Sequence, residues 1–205
     1  MTGFYPMTFS RRIRSMSCTM SCTALLVLLM AFSVASSPAA AQEMIIGEQT
    51  IDPGIQLVFE GAPKDDVTPY EQNLAEDKTD IHLEVLTNWS TDPEVTVPEG
   101  AQRGGFVAYL HFFATIKNEA TGKTEKVALI PHVTLGDAMH YARNVSLPGA
   151  ATDPYSVTFE VLPPEPTELA FHKSWRDAHG TPLIQPHTFT FESLNFEEMT
   201  AATRR

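Results

Sequence analysis

The amino-acid sequence predicts an all-β protein, an antiparallel β-sandwich. Short runs rich in Val, Ile, Phe, Tyr and Thr recur between turn signals, which is typical of strands. Sustained helical periodicity is absent, and 15 prolines and 11 glycines interrupt the chain at short intervals. This punctuation favours an antiparallel sandwich over a parallel α/β sheet.

Six segments carry the strand pattern, and the residues between them carry turn signals. The predicted strands are residues 56–60, 81–88, 106–117, 124–131, 155–162 and 187–192. Asn118-Glu-Ala-Thr-Gly122 has the length and the glycine of a hairpin loop. Residues 161–166 must leave any central strand, because their three prolines cannot donate to a ladder. The loop that follows carries His172, and we expect a short helix or a frayed tail from Ser193 to Arg205.

The first 41 residues have the pattern of an export signal. A basic start at Arg11, Arg12 and Arg14 precedes an apolar run over residues 24–34 and a small-residue cleavage site at residues 39–41. We therefore expect a mature chain of residues 42–205, a single β-sandwich domain in the periplasm. Ser10-Arg11-Arg12 also hints at a twin-arginine signal, but paired arginines occur in ordinary signals too, so the export route stays open.

Membrane attachment is not expected. A spanning helix needs about 20 apolar residues, and the apolar run of the signal is shorter than that. No second long apolar run follows it. Cys18 and Cys22 precede the run, so neither stands where a bacterial lipoprotein carries its lipidated cysteine. The predicted product is soluble and not membrane-anchored.

The composition of the mature chain excludes several kinds of partner and metal site. Residues 42–205 hold 25 acidic and 11 basic residues, a net charge of −14 with neutral histidines, which disfavours nucleic acid and anionic lipid. They hold no cysteine, so iron–sulfur, blue-copper and cysteine-ligated zinc sites are excluded. Stability must come from packing and from any bound metal.

Five residues form the candidate metal site: His82, Glu84, His132, His140 and His172. Neutral imidazole and carboxylate are the usual ligands of borderline divalent metals. Side chains alternate between faces in a strand, so His82 and Glu84 project on the same side. We expect the other three in loops, where a sandwich can bring distant residues together. The alternative for each is an ordinary polar strand face or a surface histidine.

The remaining motifs are weaker. His111 and His187 have ordinary surroundings, while His179 is a possible supporting or alternate ligand. Met139 offers a thioether beside His140, although methionine usually serves as packing. There is no Gly-rich phosphate loop, no His-Glu-x-x-His helix and no Gly-x-Ser-x-Gly nucleophile turn.

Seven short motifs keep their order over most of the mature chain. They are Asp80-Ile-His-Leu-Glu84, Val97-Pro-Glu-Gly100 leading into Tyr109-Leu110, Lys117-Asn118 with Thr121-Gly122, Leu129-Ile-Pro131, His140-Tyr141 with Asn144, Tyr155-Ser-Val-Thr-Phe159, and His172. In these motifs the chain resembles the bacterial periplasmic iron-transport proteins, small copper- and iron-binding accessories to an inner-membrane iron permease system. The resemblance implies an immunoglobulin-like β-sandwich that forms a homodimer, with the metal held at positions 82, 84, 140 and 172.

Position 132 departs from the family pattern. The family often has a methionine there, within Met-Pro-Met, whereas this chain has Ile130-Pro131-His132. The segment from 132 to 140 is one residue longer than is usual, so either His132 or Met139 completes the site. A histidine in place of a thioether removes the ligand that most favours Cu(I) and suits Cu2+, zinc or Fe2+.

The expected function is periplasmic metal binding in high-affinity iron uptake, with Cu2+, iron or both as the metal and the permease system as the partner. Zinc is a possible metal as well. The alternatives are copper or zinc sequestration, a small metal-dependent oxidoreductase, and a purely structural sandwich. An enzyme needs an open coordination position and a substrate cleft, and the sequence shows neither, so we expect a binding accessory. Histidine ligands must be neutral, so affinity should weaken as the pH falls from about 7 to about 5.

Overall fold

Eight antiparallel strands form the described part of the chain, which in this computed structural model comprises residues 43–202. The strands are β1 Met44–Ile51, β2 Ile55–Pro63, β3 Ile81–Trp89, β4 His111–Asn118, β5 Thr124–Thr134, β6 Ala138–Val145, β7 Tyr155–Leu162 and β8 His187–Leu194. A 3-10 turn Glu76–Lys78 and two short helices, α1 Lys173–His179 and α2 Glu197–Ala201, complete the elements. The all-β prediction is confirmed. The predicted signal lies outside the described residues.

The strands form one antiparallel sheet in the order β1-β2-β3-β6-β5-β4-β7-β8. β5 pairs with a different neighbour along each part of its length: residues 124–129 pair with β4, and residues 130–134 pair with β6. The outer strands approach each other where the Phe191 ring of β8 lies over Gly47 of β1. The sheet is therefore nearly closed, like a barrel, and the immunoglobulin-like sandwich is not confirmed.

Aromatic side chains fill the interior of the curled sheet. The Phe59 ring of β2 lies with its centroid 4.6 Å from that of Phe159 on β7, and 5.5 and 5.4 Å from those of Phe189 and Phe191 on β8. On β3 the interior positions are Ile81, Leu83 and Val85, all fully buried. The opposite face of β3 is therefore left to the alternate residues.

The observed strands differ from the predicted ones in the middle of the chain. β4 begins at His111, not at residue 106, because Tyr109 adopts a positive φ of 69° that no strand accommodates. β5 continues through Pro131 to Thr134. The proline is tolerated because it lies beyond Leu129, the last residue paired with β4, so only one side of the strand carries a ladder there.

Residues 64–80, here called the covering segment, join β2 to β3 and lie against the outer face of the sheet. The Asn144 side chain of β6 donates through Nδ2 to the carbonyls of Asp65 at 2.8 Å and Leu74 at 2.9 Å, which ties both parts of the segment to the strand. Polar residues on this face are thereby buried. Among residues 43–202, no helix has the length and apolar character needed to cross a membrane.

Candidate metal centre

The register of three neighbouring strands brings four of the five candidate ligands to one face. His132 of β5 lies directly opposite His140 of β6. On the other side of β6, Asn144 pairs with His82 of β3, and Ala142 pairs with Glu84. Positions 140, 142 and 144 share a face because they are two residues apart. The ladder alone therefore places three imidazoles and a carboxylate on the outer face, beneath the covering segment.

Three of these imidazoles converge. One ring nitrogen from each of His82, His132 and His140 lies within 4.8 Å of the others. The side chains are buried, with exposed fractions of 1%, 9% and 0%. The ring centroids of His82 and His132 are 5.3 Å apart, and those of His132 and His140 are 5.9 Å apart.

Glu84 lies between two of the imidazoles and is fully buried. Its Oε1 is 3.8 Å from Nε2 of His82, and its Oε2 is 3.8 Å from Nε2 of His140. Directly across the ladder on β2 stands Glu60, a second buried carboxylate with 7% exposure. Two acidic groups in a region of low dielectric favour a cation nearby.

Asn144 fixes the orientation of His82. Because its Nδ2 donates to two carbonyls of the covering segment, its Oδ1 must face the imidazole, and His82 Nδ1 lies 2.6 Å away. The neutral ring therefore carries its proton on Nδ1 and donates it to the amide oxygen. Nε2 keeps its lone pair and faces Glu84, which is the arrangement that a metal-binding histidine requires.

His132 is held neutral. Burial lowers its pKa to about 4, with further lowering from the charges of His140 and Arg143 and an opposing effect from Asp65. Its Nε2 is buried and has no hydrogen-bond partner in the part of the chain that the structure describes. A buried ring nitrogen without a partner costs free energy unless a ligand occupies it, and in the tautomer with its proton on Nδ1 this nitrogen is free to bind a metal ion.

Asp137 belongs to the centre and was missed from the sequence. One oxygen of Asp137 and ligand atoms of Glu84 and His140 also lie within 4.8 Å of one another. Asp137 ends the turn between β5 and β6, where its backbone N–H donates to Thr134 Oγ1 at 2.9 Å. An aspartate three residues before a candidate histidine is an available signal, but aspartate is so common in turns that the signal is weak.

The prediction that His132 and His140 lie in a loop is wrong. Both stand in strands of a hairpin whose turn is residues 135–137, because β5 does not stop at Pro131. Met139 neighbours His140 along β6, so its side chain projects to the other face, where it is 38% exposed. His132 lies in the cluster of converging imidazoles, and Met139 is on the opposite face of β6.

His172 stands apart from the converging groups. It is exposed, immediately precedes α1, and lines an apolar cavity of about 450 Å³ with Trp89, Phe106 and Trp175. His179, at the end of α1, is exposed as well. Within residues 43–202 neither histidine joins a cluster of three potential ligands.

The geometry fits a small divalent metal. Bonds of about 2.0–2.1 Å to nitrogen place ligand atoms about 2.9–4.2 Å apart, depending on the coordination angle. The imidazole nitrogens, all within 4.8 Å of one another, need only a small inward movement to reach such distances. Three nitrogens and one or two carboxylates form a donor set for Cu2+, Fe2+ or zinc.

A model of the Fe2+ transport protein family matches residues 40–197. The chain belongs to the Fe2+ transport protein family. It is thus a protein associated with iron transport, as the sequence motifs indicate. Comparison of the chain with curated proteins gives no match.

Several solved structures share the fold of this chain. A copper-bound variant of FetP from uropathogenic Escherichia coli strain F11 is 23% identical, with a TM-score of 0.60 over 74% of this chain and 95% of that chain. Copper-reconstituted P19 from Campylobacter jejuni is 23% identical, with a TM-score of 0.61 over 74% and 94% of the two chains. A copper-bound variant of P19 gives 23% and 0.61, over 74% and 96%. At this identity the likeness establishes a shared fold.

Proposed function

We propose that this chain is a periplasmic protein of high-affinity iron uptake that binds Cu2+, iron or both through His82, Glu84, His132 and His140. The observation that carries the proposal is the convergence of three buried imidazoles, with one ring nitrogen of each within 4.8 Å of the others. Family membership supports the association with iron, and the copper in the FetP and P19 structures supports a site that accepts copper.

The identity of the metal needs a test beyond affinity. Divalent affinity rises toward Cu2+ in almost any site of nitrogen and oxygen ligands, so tight copper binding in vitro does not make copper the cargo. The growth of a deletion strain tests whether the protein takes part in iron uptake. A strain that lacks the protein should grow poorly under iron chelation and recover when iron is added. Normal growth of that strain under chelation would contradict a role in iron uptake.

The ligand set is tested by titrating Cu2+ and Fe2+ into the metal-free protein. His140→Ala removes a fully buried imidazole of the centre, and we expect the affinity for Cu2+ to fall by about a hundredfold or more. His187→Ala is the matched control, because His187 lies on β8, away from the centre. Equal affinities for wild type, His82→Ala and His140→Ala would refute the site.

The same titration at two pH values tests the chemistry of the ligands. A metal competes with protons for imidazole, so we expect weaker binding at about pH 5 than at about pH 7. A pH-independent affinity would argue against histidine ligands.

A second candidate function is copper or zinc sequestration without a part in iron uptake. The observation that favours it is His132, which adds a third imidazole to the cluster and supplies no sulfur. This function predicts that deletion makes cells sensitive to copper or zinc and leaves growth under iron chelation unchanged.

We propose that His172 contributes to the metal site only in a homodimer. It is exposed and lies outside the cluster of its own chain, so as a ligand it would come from a second copy. The apolar cavity that it lines offers a surface for that contact. Sedimentation should show a dimer, and His172→Ala should weaken Cu2+ binding only at concentrations where the dimer forms. Equal weakening in dilute monomer would place His172 within its own chain's site.

We further propose export to the periplasm and contact with an inner-membrane iron permease system. The tip of the β5–β6 hairpin supports a protein contact, since Val133, Leu135 and Met139 are apolar and exposed beside the centre. Mass spectrometry of periplasmic protein should find a chain that begins near Gln42. Cross-linking from position 135 should capture the permease, and capture from exposed position 48 at the same level would show it to be nonspecific.

A further inference from the structure

A second cavity, which has polar residues in its lining and a volume of about 570 Å³, lies where β5 and β6 separate. The pairing of β5 with β6 ends at Ile130, which lies opposite Ala142. The residues of β5 that precede Ile130 pair with β4, and the residues of β6 that follow Ala142 pair with β3. Residues 125–128 of β5 and residues 143–145 of β6 form the walls of the cavity, and the covering segment closes one side. The volume is within the range of about 300–1,000 Å³ that is usual for small-molecule sites.

Arg143 lines this cavity without an anionic partner. It is half-buried, and among residues 43–202 no carboxylate lies within 4.0 Å of its guanidinium and no hydrogen bond engages its side chain. Burial lowers the pKa of Arg143, and no neighbouring acid offsets the effect. Five N–H donors in a fixed fork match a carboxylate, so this group is suited to bind one.

Asn73 lines the same cavity, and no group in the described range donates a hydrogen bond to its amide oxygen. It is only 1% exposed, and its Oδ1 has no hydrogen-bond partner within the described range. Its Nδ2 is 3.4 Å from the Pro69 carbonyl, a weak contact. A buried amide oxygen of this kind needs a donor such as a hydroxyl group.

We propose that this cavity binds a small hydroxycarboxylate anion, with a carboxylate on Arg143 and a hydroxyl group that donates to Asn73. One ligand then satisfies both side chains, which a simple anion or a neutral alcohol would not do. The cavity has room for a dicarboxylate or tricarboxylate skeleton.

The surrounding charges permit such a ligand. Lys126 also lines the cavity but already forms an ion pair with Glu160. Glu71 and Glu125 line it as well, but both are exposed and water screens them. The strongly negative net charge acts weakly at the cavity, since the Debye length is about 8 Å at physiological ionic strength.

The anion site and the metal centre are adjacent and separable. Asn144 lines the cavity and also accepts a hydrogen bond from His82. The charge of Arg143 contributes to the lowered pKa of His132. Neither Arg143 nor Asn73 is among the proposed metal ligands. Anion binding to the metal-free protein therefore tests this inference even if the proposed metal function fails.

Calorimetry on the metal-free protein distinguishes the contacts, with malate and succinate as probes that differ by one hydroxyl group. We expect malate to bind and succinate to bind about tenfold more weakly, because only malate supplies the donor for Asn73. Asn73→Ala should abolish this preference. Arg143→Gln should weaken malate binding at least tenfold, with Lys117→Gln as a control of equal charge change on β4.

Arg143→Lys provides a second variant if Arg143→Gln does not fold, because it keeps the charge and loses the fork. We expect it to bind malate more weakly than wild type does. The inference is overturned if malate does not bind at millimolar concentration, if succinate binds as well as malate, or if the Arg143 variants bind malate like wild type. Inorganic phosphate that binds more tightly than malate would also overturn the assignment to a carboxylate.

Discussion

Lowering the pH should destabilise the metal-free protein through His132. Its imidazole is 9% exposed, and its pKa in the folded state is lowered to about 4. In the unfolded chain the pKa returns to about 6.5. Between these two values the unfolded state binds a proton that the folded state does not, so stability is lost as the pH falls from about 6.5 toward about 4.

The size of the effect follows from the separation of the two pKa values. A difference of about 2.5 units corresponds to about 3 kcal/mol of unfolding free energy once the pH is below both values. At about pH 5 the unfolded imidazole is charged and the folded one remains neutral, which gives about 2 kcal/mol. For a domain of this size that loss equals about 4–8 °C in Tm.

Urea unfolding of the metal-free protein at about pH 8 and about pH 5 measures this loss. Other groups also titrate over this range, so the informative quantity is the difference between wild type and His132→Gln. We expect the wild type to lose about 2 kcal/mol more than the variant does. His179→Gln, which removes an exposed histidine, should follow the wild type. An equal loss in wild type and His132→Gln would refute the reasoning.

Three further substitutions test other parts of the structure. Asn144→Ala removes the group that orients His82, and Cu2+ affinity measured by chelator competition should fall by about 10–100-fold. Glu84→Gln removes the buried charge between two imidazoles and should weaken Cu2+ binding by at least about tenfold in the same assay. Gly47→Ala places a methyl group 2.1 Å from the Phe191 ring, and urea unfolding should show a loss of about 1–3 kcal/mol.

Each substitution has a control or a contradicting result. Asn88→Ala also removes a side-chain amide that bonds a backbone carbonyl, but on the far end of β3, so it should leave Cu2+ affinity unchanged. Unchanged binding in Glu84→Gln would exclude that carboxylate as a ligand. Wild-type stability in Gly47→Ala would mean that the Phe191 ring moves aside and that the two outer strands are loosely packed.

The all-β character followed from the sequence because most strands have interior positions of branched and aromatic residues, whereas the near closure of the sheet depends on contacts between distant strands and was not predicted. β7 alternates between buried and less buried side chains over its whole length, and residues 155–162 were predicted correctly. β6 was missed because its outer face holds His140 and Asn144 where a strand usually has Val, Ile or Thr. β1 was missed as well, and Gly47 interrupts its apolar pattern to make room for an aromatic ring.

The site was partly predictable for a related reason. The alternation in residues 82–84 placed an imidazole and a carboxylate on one face without any knowledge of tertiary structure. The pairing of His132 with His140 was not predictable, because it depends on β5 continuing past Pro131. Pairing across strands is a non-local property, and local patterns carry no information about it. Asn144 was noted only as part of a motif, since its role depends on two distant carbonyls.

The hairpin turn at residues 135–137 has a consequence for how members of this family diverge. One residue inserted inside β3 or β6 would rotate a histidine or the glutamate into the apolar interior, which selection would remove. One residue inserted in the turn leaves His132 opposite His140 and relocates only Asp137. A change in the length of this turn would therefore move the Asp137 carboxylate relative to the cluster and leave the pairing of His132 with His140 in place.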